Sequence, residues 1–170
     1  MRNVYLVGMM GSGKTTSGRE LARLLSISFT DLDDLIVDRA GRSINEIFHS
    51  EGEPYFRKLE RDLLGQVTSQ SNQVVATGGG VVLDPLNRER LKTSGVVIYL
   101  KTGLQVLWER VQEKKDRPLL ATSDPQGALA VLFRERSPLY EEVSDKTFLT
   151  DKKSSEEVAR EIFKNCFENR

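Results

Sequence analysis

The sequence predicts an α/β domain of three layers, in which a parallel β-sheet carries helices on both faces. Two observations predict it: short apolar runs of strand length recur along the chain, and longer segments with helical spacing lie between them. A helix that connects two strands allows them to run in the same direction, so a chain of alternating strands and helices builds a parallel sheet with both faces covered. The 170 residues have the size of one ordinary domain, and we predict a single domain over residues 1–170.

The strands and helices are predicted from the spacing of apolar residues. The strand runs are Val4–Val7, Ile27–Phe29, Val74–Ala76, Val96–Leu100 and Phe148–Leu149. Two clear helical stripes are Phe56, Leu59, Leu63 and Val67, and Val158, Ile162 and Cys166. The single cysteine, Cys166, is interpreted as a small hydrophobe on the inner face of the last helix.

Composition argues against several classes of protein. Lys plus Arg is 25 and Asp plus Glu is 25, so there is no basic excess of the kind that nucleic-acid binding needs. One cysteine and one histidine exclude an intramolecular disulfide, a cysteine zinc site and a histidine cluster. No apolar run approaches the roughly 20 residues that cross a bilayer. We therefore expect a cytoplasmic protein without nucleic-acid or membrane partners. Because the sequence has no heptad pattern and no large exposed apolar stretch, we also expect a monomer.

A glycine-rich stretch, GMMGSGKTT at Gly8–Thr16, directly follows the first predicted strand. It fits G-x-x-x-x-G-K-[ST], the P-loop pattern. Its glycines let successive backbone N–H groups turn inward at the start of a helix, where the helix dipole also attracts an anion. Lys14 is expected to reach the β- and γ-phosphates, and Thr15 to offer its hydroxyl to Mg²⁺. The pattern predicts a nucleoside triphosphate with Mg²⁺, and leaves a kinase, a GTPase switch and a motor ATPase open.

Acidic residues end the second predicted strand, in FTDLDD at Phe29–Asp34. Alternate residues of a strand share a side, so Asp31 and Asp33 are expected to face one cleft at the carboxyl edge of the sheet. One carboxylate would hold the hydration shell of Mg²⁺, and the other would accept a hydrogen bond from an attacking hydroxyl. The alternative is that they cap the following helix, a role for which Asp34 is the better candidate.

Two segments depart from the strand and helix pattern. Val111–Gly127 is polar and contains Pro118 and Pro125, which predicts a mobile loop between helices. Thr77–Gly80 reads TGGG at the end of a predicted strand. Three successive glycines indicate that backbone, rather than side chain, must come close to something at this point.

One arginine follows an apolar stripe on a predicted helix. The stripe consists of Leu129, Leu132 and Phe133. An uncompensated buried charge costs several kcal/mol, so Arg136 predicts a bound carboxylate, with snorkelling to solvent as the alternative. Pro138 is expected to interrupt this helix, and Ser137 to cap a new turn.

A second arginine, Arg57, lies beside Phe56 at the edge of the amphipathic helix. Glu60 is three residues further on and is placed to orient it. The alternative is an exposed helical salt bridge, worth a few tenths of a kcal/mol.

Taken together, these motifs resemble those of shikimate kinases, small members of the nucleoside-monophosphate-kinase-like group of P-loop proteins. The matching stretches are, in order, GMMGSGKT, DLD at Asp31–Asp33, GRSINEIF and GEPYFRKLE within Gly41–Glu60, TGGG, RPLL at Arg117–Leu120 and RSPLYEEV at Arg136–Val143. They span most of the chain. Gluconate kinases share the P-loop without this full set.

The resemblance implies a fold and an activity. The fold is a five-stranded parallel sheet with helices on both sides, a substrate-binding helical segment at about residues 32–60 and a mobile lid at about residues 111–124. The activity is transfer of the γ-phosphoryl group of ATP to the 3-hydroxyl of shikimate, in chorismate and aromatic amino acid biosynthesis. Its cofactor is Mg²⁺.

The resemblance also implies roles for residues. Asp33 would bind the reacting hydroxyl and act as the base, Asp31 would organise Mg²⁺ with Thr15, and Lys14 and Arg117 would assist the transfer. The acid would be held by Arg57, Arg136 and the backbone of Gly78, Gly79 and Gly80. The nucleotide would be held by Gly11, Ser12, Gly13, Lys14, Thr15, Thr16, Arg110, Arg117 and Lys153.

The strand QVVATGGG departs from the general P-loop pattern, since Ala76 stands where a Walker-B aspartate is expected. This absence agrees with the shikimate kinase pattern and weakens the GTPase reading, as does the lack of an N-K-x-D motif. The alternatives that remain are a P-loop kinase of another small hydroxylated metabolite, such as gluconate or a nucleoside, and a nucleotide-dependent regulatory module.

Overall fold

A computed structural model describes residues 1–168 of the chain. In this part of the chain the strands form one five-stranded, wholly parallel sheet of order β2-β3-β1-β4-β5. The strands are β1 Asn3–Val7, β2 Ser28–Asp31, β3 Gln73–Ala76, β4 Gly95–Lys101 and β5 Lys146–Leu149. Each predicted apolar run overlaps one of them, and the predicted fold class is confirmed.

Eight α-helices within residues 1–168 connect and cover the strands. They are α1 Lys14–Leu25, α2 Leu32–Ala40, α3 Ile44–Ser50, α4 Glu53–Thr68, α5 Pro85–Ser94, α6 Leu104–Val111, α7 Pro125–Val143 and α8 Ser155–Cys166. None of these helices has the length and hydrophobicity of a membrane span.

The three layers follow from the two-residue period of the strands. Val4 and Leu6 of β1 point to one face, where α1 and α8 pack. Tyr5 and Val7 point to the other face, where α4 and α7 pack among other helices. Cys166 is half-buried against the α1 and α8 side of the core, as expected for a small hydrophobe. The sheet is therefore buried on both sides and provides a rigid base for the loops at its edge.

Helix α7 differs from the sequence prediction, because Pro138 does not interrupt it. Buried residues lie on both sides of the proline, Arg136 before it and Tyr140 after it, and hold one continuous helix against the sheet. This packing outweighs the cost of a proline in a helix, about 3 kcal/mol. Ser137 caps no new turn, and its hydroxyl instead donates to the carbonyl of Phe133 at 2.6 Å.

The polar segment between α6 and α7 is shorter than predicted. Val111 is the last residue of α6, and α7 already begins at Pro125, where Asp124 caps it by accepting from the N–H of Gly127. Between the helices the chain forms a single 3₁₀ turn, Pro118–Leu120. Its mobility stays a prediction.

Candidate active site

The P-loop between β1 and α1 depends on glycine for its shape. Gly11 and Gly13 have φ angles of 80° and 90°, a left-handed conformation that residues with a Cβ rarely adopt. A Cβ on Gly11 would also lie 2.8 Å from Cγ1 of Val111. The loop thereby wraps the N-terminus of α1, where free backbone N–H groups and the helix dipole favour an anion. Ser12 lies beneath the loop, only 2% exposed, with no hydrogen-bond partner for its hydroxyl in the described residues.

Lys14, the first residue of α1, folds back over the P-loop. Its Nζ donates to the carbonyl of Gly8 at 2.8 Å and to that of Met9 at 2.9 Å. Loss of hydration in this cleft lowers the Lys14 pKa to about 8, although the carboxylate of Asp33 partly opposes the shift. The ammonium is thus held at the loop by neutral carbonyls only, and a phosphate would be a stronger partner.

The sequence predicted that Asp31 and Asp33 lie in one strand, but the structure separates them. Strand β2 ends at Asp31, and Asp33 lies in the first turn of α2. Asp31 is the helix cap in place of Asp34, because its Oδ1 accepts from the N–H of Asp33 at 3.0 Å and so satisfies a free donor of the first turn. Its Oδ2 accepts from the hydroxyl of Thr15 at 2.7 Å. Asp31 therefore combines a cap with a contact to the P-loop.

A cleft of about 520 Å³ extends from the P-loop across the carboxyl edge of the sheet. Its lining includes most of the residues expected for the nucleotide: Gly11, Gly13, Lys14, Thr15, Thr16, Arg110, Arg117 and Lys153. Among these residues, Arg110 donates to the carbonyl of Gly11 at 2.9 Å, and Lys153 pairs with Glu161 at 2.6 Å. Sequence reasoning missed Lys114 and Ser155, which also line the cleft and belong to no motif.

A smaller pocket of about 70 Å³ adjoins the cleft. It is lined by Asp33, Arg57, Gly78, Gly79, Gly80, Glu60 and Arg136, among others. Arg57 from α4 and Arg136 from α7 are far apart in sequence, and the fold brings both to this pocket. Asp33 and Arg117 line the cleft and the pocket alike, so they lie between the two.

The two arginines differ in their pairing. Arg57 donates to Glu60 at 2.9 Å and to Glu53 at 3.3 Å, as the helical spacing suggested for Glu60. Arg136 is only 2% exposed, so it does not snorkel, and within residues 1–168 it forms no ion pair with a carboxylate. A buried guanidinium without a carboxylate partner can bind an organic carboxylate in a two-pronged fork.

The three glycines after β3 leave room for these charged groups. A Cβ on Gly78 would lie 2.7 Å from Oε2 of Glu60, and one on Gly79 would lie 3.3 Å from Nη1 of Arg136. A Cβ on Gly80 would collide with the guanidinium of Arg57. The prediction that backbone must come close to something here has a physical basis, since side chains would fill the pocket.

Glu60 was expected from the sequence only as the partner of Arg57, and the structure places it in the lining of the small pocket as well. It is 1% exposed, its Oε2 has no hydrogen-bond partner in the described residues, and Oε2 faces the pocket near Gly78. Burial raises its pKa, and the neighbouring Arg57 opposes that shift. Phe48 and Phe56, with ring centroids 4.9 Å apart, form an apolar wall beside it.

Comparison with known proteins places this site in a family. A sequence model described as "Shikimate kinase" matches residues 10–167. The chain is 48% identical to the shikimate kinase of Legionella pneumophila (strain Corby) over 98% of its own length and 95% of the relative's. It superposes on shikimate kinase from Acinetobacter baumannii in complex with shikimate with a TM-score of 0.97 and 41% identity, covering 100% of this chain and 95% of that one. A gluconokinase from Sinorhizobium meliloti, at 19% identity and a TM-score of 0.63, shares the fold alone.

Proposed function

The chain belongs to the shikimate kinase family, and from this we propose that it transfers the γ-phosphoryl group of ATP to the 3-hydroxyl of shikimate, giving shikimate 3-phosphate and ADP. The observation that carries the proposal is the convergence of Arg57 and Arg136 beside Gly78–Gly80, in a pocket that shares Asp33 with the P-loop cleft. The proposed site of the phosphoryl donor and the proposed site of the acid that accepts the phosphoryl group thus meet at Asp33.

The proposed role of the small pocket is to hold shikimate by its carboxylate. A guanidinium matches a carboxylate in a two-pronged fork, and Arg136 has no protein carboxylate to satisfy it in the described residues. Pinning the acid at one end directs its hydroxyl groups towards Asp33 and the P-loop. Most of the rate enhancement would come from this positioning and from electrostatics, because phosphoryl transfer asks for little covalent chemistry.

The proposed reaction assigns one task to each charged side chain of the cleft. Asp33 accepts the hydrogen bond, and then the proton, of the 3-hydroxyl as its oxygen attacks the γ-phosphorus and the bond to the β-phosphate oxygen breaks. Lys14 and Arg117 offset the negative charge that moves onto the leaving ADP. Glu53 and Glu60 hold Arg57 in place.

Mg²⁺ is part of the proposal, and the donor set at the P-loop fits it. The Thr15 hydroxyl and the Asp31 carboxylate already meet at 2.7 Å, and both are the hard oxygen ligands that Mg²⁺ takes together with phosphates and water. The described residues contain no cluster of three or more His, Cys, Asp or Glu that would hold a metal unaided. Bound Mg²⁺ would neutralise charge on the β- and γ-phosphates. Asp31 would keep Thr15 oriented towards it.

Arg110 and Lys153 are proposed to lie beside the adenine, since both line the nucleotide cleft and neither belongs to the P-loop. We also propose that the protein acts as a cytoplasmic monomer. Its substrate ATP and its single cysteine suit a reducing cytoplasm.

The function is tested by a coupled assay of ADP release with ATP and a panel of acceptors. Shikimate should give rapid acceptor-dependent release, while gluconate and a nucleoside should give only the background without acceptor. The methyl ester of shikimate keeps the 3-hydroxyl and loses the charge, so kcat/KM should fall by roughly 30-fold or more, the scale for one lost partner of a buried charge pair. Equal rates with the acid and its ester would refute the proposed role of the arginines. ADP release that is the same with and without shikimate would refute the proposed function.

A further inference from the structure

Tyr140 lies one helical turn beyond Arg136 on α7, behind the glycine segment of the small pocket. Its side chain is 0% exposed, and its hydroxyl donates to the carbonyl of Gly79 at 2.5 Å. The Arg136 guanidinium lies close to the same hydroxyl, and its charge partly opposes the rise that burial causes in the Tyr140 pKa. One phenol therefore contacts both the backbone and the arginine that line the pocket, although it is absent from the pocket's own lining.

The hydrogen bond from Tyr140 to the Gly79 carbonyl determines the orientation of the peptide unit between Gly79 and Gly80. The carbonyl of Gly79 and the N–H of Gly80 belong to one planar trans peptide and point in opposite directions. A carbonyl held towards Tyr140 therefore turns the Gly80 N–H away from it. This N–H has no hydrogen-bond acceptor in the part of the chain that the structure describes, and Gly80 lines the small pocket.

We propose that Tyr140 is a positioning residue for the acid-binding pocket, because its hydroxyl fixes the Gly79–Gly80 peptide, beside Arg136, in the orientation that receives the substrate carboxylate. Glycine makes this support necessary, since a peptide between glycines has wide conformational freedom. The inference rests on the proposed function, but it concerns a residue that contacts neither substrate.

Simple core packing is the competing explanation for Tyr140. Its ring packs on Tyr99 with centroids 5.1 Å apart, and its hydroxyl lies 3.7 Å from the sulfur of Met9. The hydroxyl also stays a donor, because burial raises the Tyr140 pKa. Tyr140→Phe keeps the packing and removes only the hydrogen bonds, so it separates the two explanations.

Tyr99 supplies the matched control. It belongs to the same stacked pair, is 1% exposed, and does not line the small pocket. Tyr99→Phe therefore removes the other tyrosine hydroxyl of the same stacked pair without touching the pocket.

The experiment compares the kinetics and shikimate binding of both variants with those of the wild type. For Tyr140→Phe we expect KM for shikimate to rise by roughly five- to tenfold, the scale of one lost buried hydrogen bond, with KM for ATP within about twofold. Calorimetry without nucleotide should show the same loss in shikimate affinity. With methyl shikimate the ratio of kcat/KM between wild type and variant should return towards one, because the ester lacks the group being positioned.

Tyr99→Phe should leave all these values near those of the wild type, even if both variants unfold at a somewhat lower temperature. An unchanged KM and Kd for shikimate in Tyr140→Phe, or an equal change in the two variants, would overturn the proposal. The wild-type turnover of shikimate in the same assay tests the proposed function separately.

Discussion

Asp33 connects the two halves of the site, since its side chain lines both the nucleotide cleft and the small pocket. Burial raises its pKa, as does Asp31, whereas the cations Lys14 and Arg117 lower it. A carboxylate with opposed influences of this kind is suited to accept a proton during the reaction and to lose it afterwards.

The first prediction follows for Asp33→Asn, which keeps the shape of the side chain and removes the proton acceptor. Turnover of shikimate should fall by roughly 10²- to 10⁴-fold, the usual contribution of a general base, while the affinity for MgATP stays within a few-fold. Steady-state kinetics and nucleotide titration measure the two effects. The control is Asp34→Asn, an exposed neighbour in the same helical turn, which should stay active. Full activity of Asp33→Asn would remove it from the chemistry.

A second residue-scale prediction concerns the charge of Lys14, whose pKa is lowered to about 8 by burial. As pH rises through 8, the free protein loses this proton, and the negative charge of bound polyphosphate raises the pKa again. Binding of MgATP at pH 8 should therefore take up about half a proton, and less at pH 7.

Titration calorimetry in buffers with different ionisation enthalpies measures this proton uptake. Lys14→Arg is the control, because a guanidinium remains protonated and its complex should show no uptake from this position. A binding enthalpy that is the same in all buffers at pH 8 would contradict the predicted coupling.

At the scale of elements, the segment between α6 and α7 presents Arg117 to both the cleft and the small pocket. The arginine has Asp116 at 3.8 Å, and its Nε has no hydrogen-bond partner in the described residues. The segment also contacts α3, because Asn45 donates to the carbonyl of Lys115 at 3.2 Å. Within the described residues the side chain of Arg117 has one long ion pair and no hydrogen bond, so its charge is available to a bound phosphate.

For this segment we predict that Arg117→Ala cuts turnover by roughly 10²-fold or more, the scale for removing one donor to the charge that develops in transfer. The free energy of unfolding should change by no more than about 1 kcal/mol, since the side chain forms no hydrogen bond in the described residues. Lys115→Ala removes a neighbouring charge that does not line the nucleotide cleft, and it should be nearly silent. An unchanged rate in Arg117→Ala would place the arginine outside the reaction.

At the scale of the whole molecule, the strand order places the ligand loops side by side. β1 lies beside β3, and β3 beside β2, so the P-loop, Thr77–Gly80 and Asp31–Asp33 leave the sheet at one edge. Parallel strands end at the same edge, which is where ligands bind in open α/β sheets. Helices α4 and α7 pack on one face of this sheet and bring their arginines to the same edge.

The exposed apolar side chains bear on the oligomeric state. Large apolar side chains that are exposed within residues 1–168 come from separate elements: Val37, Tyr55, Leu83, Leu86, Val131 and Leu149, with Met1 at the terminus. A stable dimer buries roughly 1,200–2,000 Å², usually around an apolar centre. Sedimentation velocity at micromolar concentration should therefore show the mass of one chain. A species of twice that mass would contradict the expectation.

The sequence by itself determined the alternation of strand and helix and the place where a triphosphate binds. These features are local, because Gly8–Thr16 builds its own anion site from neighbouring backbone groups. Arg57 and its partner Glu60 were also accessible, since a spacing of three on one helix suffices. The motif resemblance added the residues that are expected to bind the acid, but it could not show that they meet.

The tertiary structure alone decided which distant residues share the small pocket, and it corrected what local rules had suggested. Pro138 stays within α7 because packing on both sides outweighs its local cost. Asp31 rather than Asp34 caps α2, because β2 ends at Asp31, beside the Thr15 hydroxyl that donates to it. Tyr140 acquires its contact with Gly79 across 61 positions of the chain. Local propensity acts over a few residues, whereas a pocket is built from long-range contacts whose geometry only the packed core determines.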